Sequence, residues 1–123
     1  MEIVYASEKL KTTCTSNRAA LKFFGGNSKL AMGLQAKIQA LKAAQTIRDI
    51  IYTPSLHFHK LRDKGRKGWE GYFAIDVAGR REPWRLILQP LDNDHEPFVP
   101  CNIDEICDIV QVVKVEQVSK HYE

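Results

Sequence analysis

Apolar and polar positions along the chain change period once, at Pro54. Before it the spacing is helical. Leu30, Leu34, Ile38 and Leu41 recur at intervals of four, four and three, which draws one stripe along a helix expected from Ser28 to Ala44. Ala31, Ala36, Ala40, Ala43 and Ala44 raise its helix propensity and let a neighbour approach closely. Ser7 is placed as an N-cap for an earlier helix, with Glu8 in the first turn and Leu10 opening the apolar face. Ser16 or Asn17 starts a second piece carrying Ala20, Leu21 and Phe24, which Gly25-Gly26 ends by supplying a left-handed position. Thr46 to Ile51 gives a short fourth turn. Ahead of them all, Glu2 to Ala6 alternates around Ile3 and Tyr5 as an edge or second strand.

Beyond Pro54 the period is close to two, the repeat of a strand. The run Leu56 to Leu61 places His57 and His59 on one face, so that both imidazoles point the same way, and Leu56 with Phe58 on the other. Trp69 to Val77 sets Trp69, Phe73, Ile75 and Val77 against Glu70, Tyr72 and Asp76. Trp84 to Gln89 sets Trp84, Leu86 and Leu88 against Arg85, Ile87 and Gln89. Pro90, Pro97 and Pro100 mark an excursion, Asn102 or Asp104 starts a helical turn, and the valine-rich run Ile109 to Val118 completes the sheet. The order predicts an α+β fold, one small domain over residues 1–123. N-terminal helices cover the oily face of a mainly antiparallel sheet, and the mixed polar face stays open.

Charge changes this picture locally. Eighteen Lys and Arg against fifteen Asp and Glu leave only +3, too little for a protein that coats DNA. Yet Lys60, Arg62, Lys64, Arg66 and Lys67 face one acid, Asp63, and Arg80, Arg81 and Arg85 face only Glu82. Either cluster alone fits a solvated loop. Two clusters joined by strands fit a surface that meets phosphate. Cys14, Cys101 and Cys107 are odd in number, with no CxxC pair and no histidine at ligand spacing. Reduced thiols are expected, with no disulfide framework, no metal and no cofactor. No apolar run reaches the length of a membrane span, so an unprocessed cytoplasmic protein away from membranes is expected.

Cleaving RNA through its own 2'-hydroxyl needs a base for the hydroxyl proton, an acid for the departing 5'-oxygen, and cations for the developing charge. Histidine serves the first two at neutral pH, and the planar fork of arginine matches phosphate oxygens. Of His57, His59, His95 and His121, three lie on or beside the expected sheet, whereas His95 sits between Asp94 and Glu96 with no evident role. His59 fits an acid or base, but spacing alone favours a partly buried strand histidine bonded to backbone. Arg85, within an apolar strand, has to reach an acid such as Asp76 or Glu70, or an open cleft. Trp69 and Trp84 fit sheet aromatics better than base-stacking platforms, and Tyr72 fits either.

The FHKL at Phe58 to Leu61, GWEGYFAIDV at Gly68 to Val77, PWRLIL at Pro83 to Leu88 and KHY at Lys120 to Tyr122 follow one another after the helices. This ordered set resembles the RelE/HigB-like toxins of type II toxin-antitoxin systems, and among them the HigB-type plasmid maintenance killer proteins. The resemblance implies a RelE/ParE-like fold with helices on a curved sheet, and a ribosome-dependent, metal-independent endonuclease that cuts translated mRNA. It implies mRNA, the ribosome and a cognate antitoxin as partners, the antitoxin a small helix-turn-helix protein through which alone operator DNA is met. By position, His59, Arg85, His121 and Tyr122 become the catalytic candidates. Lys60, Arg62, Lys64, Arg66, Lys67, Tyr72, Arg81 and Lys120 become the substrate-binding ones. Lys120, His121 and Tyr122 stand where the family has Asp, Tyr and His. Two alternatives remain: a ParE-like toxin that binds DNA gyrase, and a catalytically silent module that acts only in an antitoxin complex.

Overall fold

A computed structural model describes residues 1–61 and 68–120. Arg62, Lys64, Arg66, Lys67, His121 and Tyr122 lie outside the described residues. The N-terminal half forms the elements its caps dictate. After strand β1 (Glu2–Tyr5), Ser7 accepts from the Leu10 amide at 3.1 Å and starts α1 (Glu8–Thr15). Ser16 accepts from the Ala19 amide at 3.2 Å and starts α2 (Asn17–Phe23). Gly25 and Gly26, at φ 64° and 90°, end it. Asn27 caps the long α3 (Ser28–Ala43) through the Leu30 amide at 3.2 Å. The Met1 ammonium donates to the Leu41, Lys42 and Ala44 carbonyls, which sets a positive charge at the carbonyl end of α3. Helix α4 (Ile47–Ile51) follows, then a 3-10 turn at Pro54–Leu56.

Strands β2 (His59–Lys60), β3 (Phe73–Asp76), β4 (Arg85–Leu91) and β5 (Val112–Ser119) join β1 in one open sheet, ordered β1-β5-β4-β3-β2, with a short helix α5 (Ile103–Ile106) before β5. The β1–β5 pair is parallel and the other three are antiparallel. The expected α+β fold, helices on a mainly antiparallel sheet, is therefore the observed one. Between Ile87 and Leu88 the register on β5 jumps from Gln117 to Val115, a bulge that bends the sheet. The apolar stripe of α3 (Leu30, Leu34, Ile38 and Leu41) packs with Ile75, Val77, Leu86, Leu88, Val113 and Val115 in one core. Each such fully buried aliphatic side chain contributes about 1.5–3 kcal/mol. No helix among the described residues is long and apolar enough to cross a membrane.

Leu56 to Leu61 is not a continuous strand: Leu56 belongs to the 3-10 turn, His57 takes a left-handed backbone at φ 54°, and only His59 and Lys60 pair with β3. Trp69 does not share the face of Phe73, Ile75 and Val77. It sits in the turn before β3 and packs with Leu61, Ala74, Ile87 and Tyr72 in a second cluster, across the sheet from the helices. That face is thus partly covered. Alternation failed because each segment leaves strand geometry before its apolar pattern ends. The proline excursion is tighter than expected: β4 runs on through Pro90, and the Asp92 carboxylate accepts from the Asp94 and Glu96 amides at 2.8 and 3.0 Å. His95, with no role assigned from sequence, reaches Glu2 at 2.8 Å.

Helix α3 crosses the end of β3 so closely that a Cβ on Gly33 would stand 2.5 Å from the Val77 carbonyl oxygen, whose other partner is the Lys37 ammonium at 3.2 Å. Gly33→Ala should therefore lower stability by about 1–3 kcal/mol despite its better helix propensity, read from the midpoint of urea unfolding. Met32→Ala beside it, at a 67% exposed position, should change stability by less than about 0.5 kcal/mol. Burial also pushes the Cys14 thiol up to about 12 and removes it from solvent. Burial raises the Cys101 thiol as well, so iodoacetamide at pH 8 should modify Cys107 first and Cys101 more slowly in the native protein and reach Cys14 only after unfolding, as mass spectrometry would show.

Candidate functional site

Directly opposed residues of antiparallel strands share a face, so the register maps the surface turned away from the helices. One row runs His59, Ala74, Ile87, Gln117. The next runs Asp76, Arg85, Ser119. Asp76 is only 1% exposed, a position where an unpaired carboxylate would cost several kcal/mol. Two cations or potential cations meet it. The His57 Nδ1 lies 3.0 Å from Asp76 Oδ1, and the Arg85 Nε lies 3.1 Å from the same oxygen. The arginine contact is an ion pair without hydrogen-bond alignment, since Nε has no hydrogen-bonded acceptor.

Arg85 is otherwise occupied with its own loop. Its terminal nitrogens donate to the carbonyls of Glu82, of Trp84 at 2.9 Å and of Arg80 at 3.1 Å. One guanidinium therefore neutralises Asp76 and holds the 80–84 turn at the edge of the face. Arg81 lies between Arg80 and Glu82, whose carbonyls accept from Arg85, and its side chain is exposed. The requirement that Arg85 reach an acid is met by Asp76, not Glu70.

His57 reaches Asp76 by way of its left-handed backbone, a conformation that costs a non-glycine residue about 1–2 kcal/mol and that histidine adopts more often than most. The same turn of chain aims its carbonyl at His59, whose Nδ1 lies 2.8 Å away. A carbonyl only accepts, so Nδ1 of His59 carries the proton and Nε2 keeps its lone pair when the ring is neutral. The Asp76 carboxylate imposes the same state on His57. The two rings stack at 4.5 Å with 29° between their planes. Two imidazoles, each anchored at Nδ1 and each with Nε2 unengaged among the described residues, stand side by side at the edge of the sheet.

The sequence-predicted residues divide around this pair. His59 and Arg85 belong to it; Tyr72, half-buried, packs edge-on to Trp69 at 5.3 Å on the same side of the sheet. Lys60 pairs with Phe73, a helix-side position, and extends into solvent at the sheet edge. Lys120 lies over the Trp84 ring at 5.4 Å, and Trp84 packs against Phe23 and Phe24 of the helical layer, so this ammonium is drawn to the opposite side. His57 and Asp76 were not among the candidates. The shared face of His57 and His59 and the need of Arg85 for an acid were the signals that could have found them. Among the described residues no three His, Cys, Asp or Glu side chains are grouped as metal ligands. In comparison with known proteins, no family model matches the chain and no curated protein matches it.

Because Arg85 closes a buried ion pair and three carbonyl contacts, Arg85→Ala should lose about 3–5 kcal/mol in urea unfolding. His59→Ala, giving up one hydrogen bond, should lose about 1 kcal/mol. An Arg85→Ala protein as stable as the parent would show that the guanidinium is free of its internal partners.

Proposed function

We propose that this chain is a ribosome-dependent, metal-independent endonuclease of translated mRNA, the toxin of a type II toxin-antitoxin pair. The observation that carries this reading is the stacked His57–His59 pair, anchored through Nδ1 and seated beside the Asp76–Arg85 ion pair. The order of motifs from Phe58 to Tyr122 supports it from the sequence side.

In this reading His59 Nε2 takes the proton from the ribose 2'-hydroxyl, and O2' attacks phosphorus. The bond from phosphorus to the 5'-oxygen breaks, and protonated His57, its charge supported by Asp76, delivers a proton to that oxygen. The products are a 2',3'-cyclic phosphate and a 5'-hydroxyl. Cations of the 60–67 segment, with Arg81, meet phosphates without reading sequence. Arg85 positions the 80–84 turn and Asp76.

The saturation of Arg85 favours a second reading, a catalytically silent partner of an antitoxin, because it leaves the phosphate fewer free guanidinium donors. Tightly induced expression with 5'-end mapping of cellular mRNA separates the two. Growth arrest with new cuts inside coding regions, lost in both His57→Ala and His59→Ala and insensitive to chelators in extracts, is the expected result. Arrest without cuts would move the case to a gyrase-directed toxin, and no arrest to the silent partner.

A further inference from the structure

A cavity of about 320 Å³ opens beside the end of β4, walled by Pro90, Pro97, Phe98, Val99 and Cys101, with Glu70 and Gly71 at its rim and Gln89 at its base. Its size is at the lower end of small-molecule sites, which span about 300–1,000 Å³, so it suits one ring system. Gln89 is only 8% exposed, and its side-chain amide makes no hydrogen bond to another side chain or to backbone among the described residues. Neither its oxygen nor its nitrogen is sealed by neighbouring atoms. Both amide atoms remain accessible from the cavity, so a donor and an acceptor stand together for whatever displaces water there.

We infer that the cavity is a base pocket: it takes one unpaired nucleobase of an RNA strand lying on the sheet, with Gln89 pairing to the base edge and Glu70 accepting from an exocyclic amino group. This rests on the reading of that sheet face as RNA-binding. An amide is matched by the adjacent donor and acceptor that any base edge presents, uracil included, and the Glu70 carboxylate, which only accepts, selects the exocyclic amino group that adenine and cytosine carry and uracil lacks. The apolar walls offer flat surface to the ring faces, as sites for unstacked bases do. The placement agrees. Arg85, Ile87 and Gln89 alternate onto one face of β4, and Ile87 stands in the row of His59. The step along β4 from Ile87 is about 7 Å and the step across two strands about 10 Å, so one strand passing over the Trp69 and Tyr72 side chains packed on Ile87 can reach the pocket and the imidazoles together.

The test is anisotropy binding of labelled single-stranded RNA hexamers that differ at one central position, carrying adenine, cytosine, uracil or no base, to the full chain. The parent should bind the adenine or cytosine hexamer about tenfold more tightly than the uracil and abasic ones. Gln89→Leu should level the series to the affinity of the abasic hexamer. Glu70→Gln, at an exposed position that does not threaten folding, should reduce the preference several-fold. Equal binding of all four hexamers by the parent, or a preference that survives in both variants, would overturn the pocket and leave RNA binding standing. No binding of any hexamer would remove the pocket and the RNA reading of this face together.

Discussion

One buried carboxylate organises this face of the molecule. Asp76 sits at the end of β3, almost without solvent, and a charge there is tolerable only with partners held close. Its oxygen gathers Arg85 from the neighbouring strand and His57 from the turn before β2. Arg85, once drawn to the carboxylate, is in position to hold the 80–84 carbonyls. His57, once drawn there, takes a left-handed backbone that delivers its own carbonyl to His59. The edge of the sheet, the turn beyond it and the orientation of two imidazoles all follow from satisfying one acid.

The helical layer makes that arrangement affordable. Core packing of the α3 stripe on Ile75, Val77, Leu86 and Leu88 fixes the strands from one side, so that Ala74, Asp76, Arg85 and Ile87 are presented on the other. The second cluster, Leu61, Trp69, Ala74 and Ile87 with Tyr72, then lowers the local dielectric beside the polar group. Polar contacts are stronger in such surroundings, and a missing partner is more costly. The same covering leaves the end of β4 as the place where Gln89 meets an open cavity, with the prolines of the excursion as its wall.

Local chemistry was legible in the sequence and long-range geometry was not. The caps at Ser7 and Ser16, the stop at Gly25-Gly26 and the stripe of α3 depend on residues within a turn or two, and they read directly. The demand of Arg85 for an acid was legible because a cation among Leu86, Ile87 and Leu88 must be paired; that Asp76 stands directly opposite required the register. The left-handed His57 was hidden, because its cause is the hydrogen bond to a residue nineteen positions away. The side taken by Trp69 was hidden as well, since it lies in a turn where alternation no longer assigns a face. Lys60 and Lys120 looked like members of one cationic surface, but register and the Trp84 ring carry them to the helix side.

The central claim is that Asp76 and the His57 carbonyl fix both imidazoles through Nδ1, leaving each Nε2 available. The side-chain nitrogen chemical shifts and couplings of the histidines in the parent protein, by NMR at a pH where the rings are neutral, test it most directly. The account predicts protonated Nδ1 and unprotonated Nε2 at both His57 and His59. Protonated Nε2 at either ring would contradict it, because that ring could not then donate to the partner the fold provides.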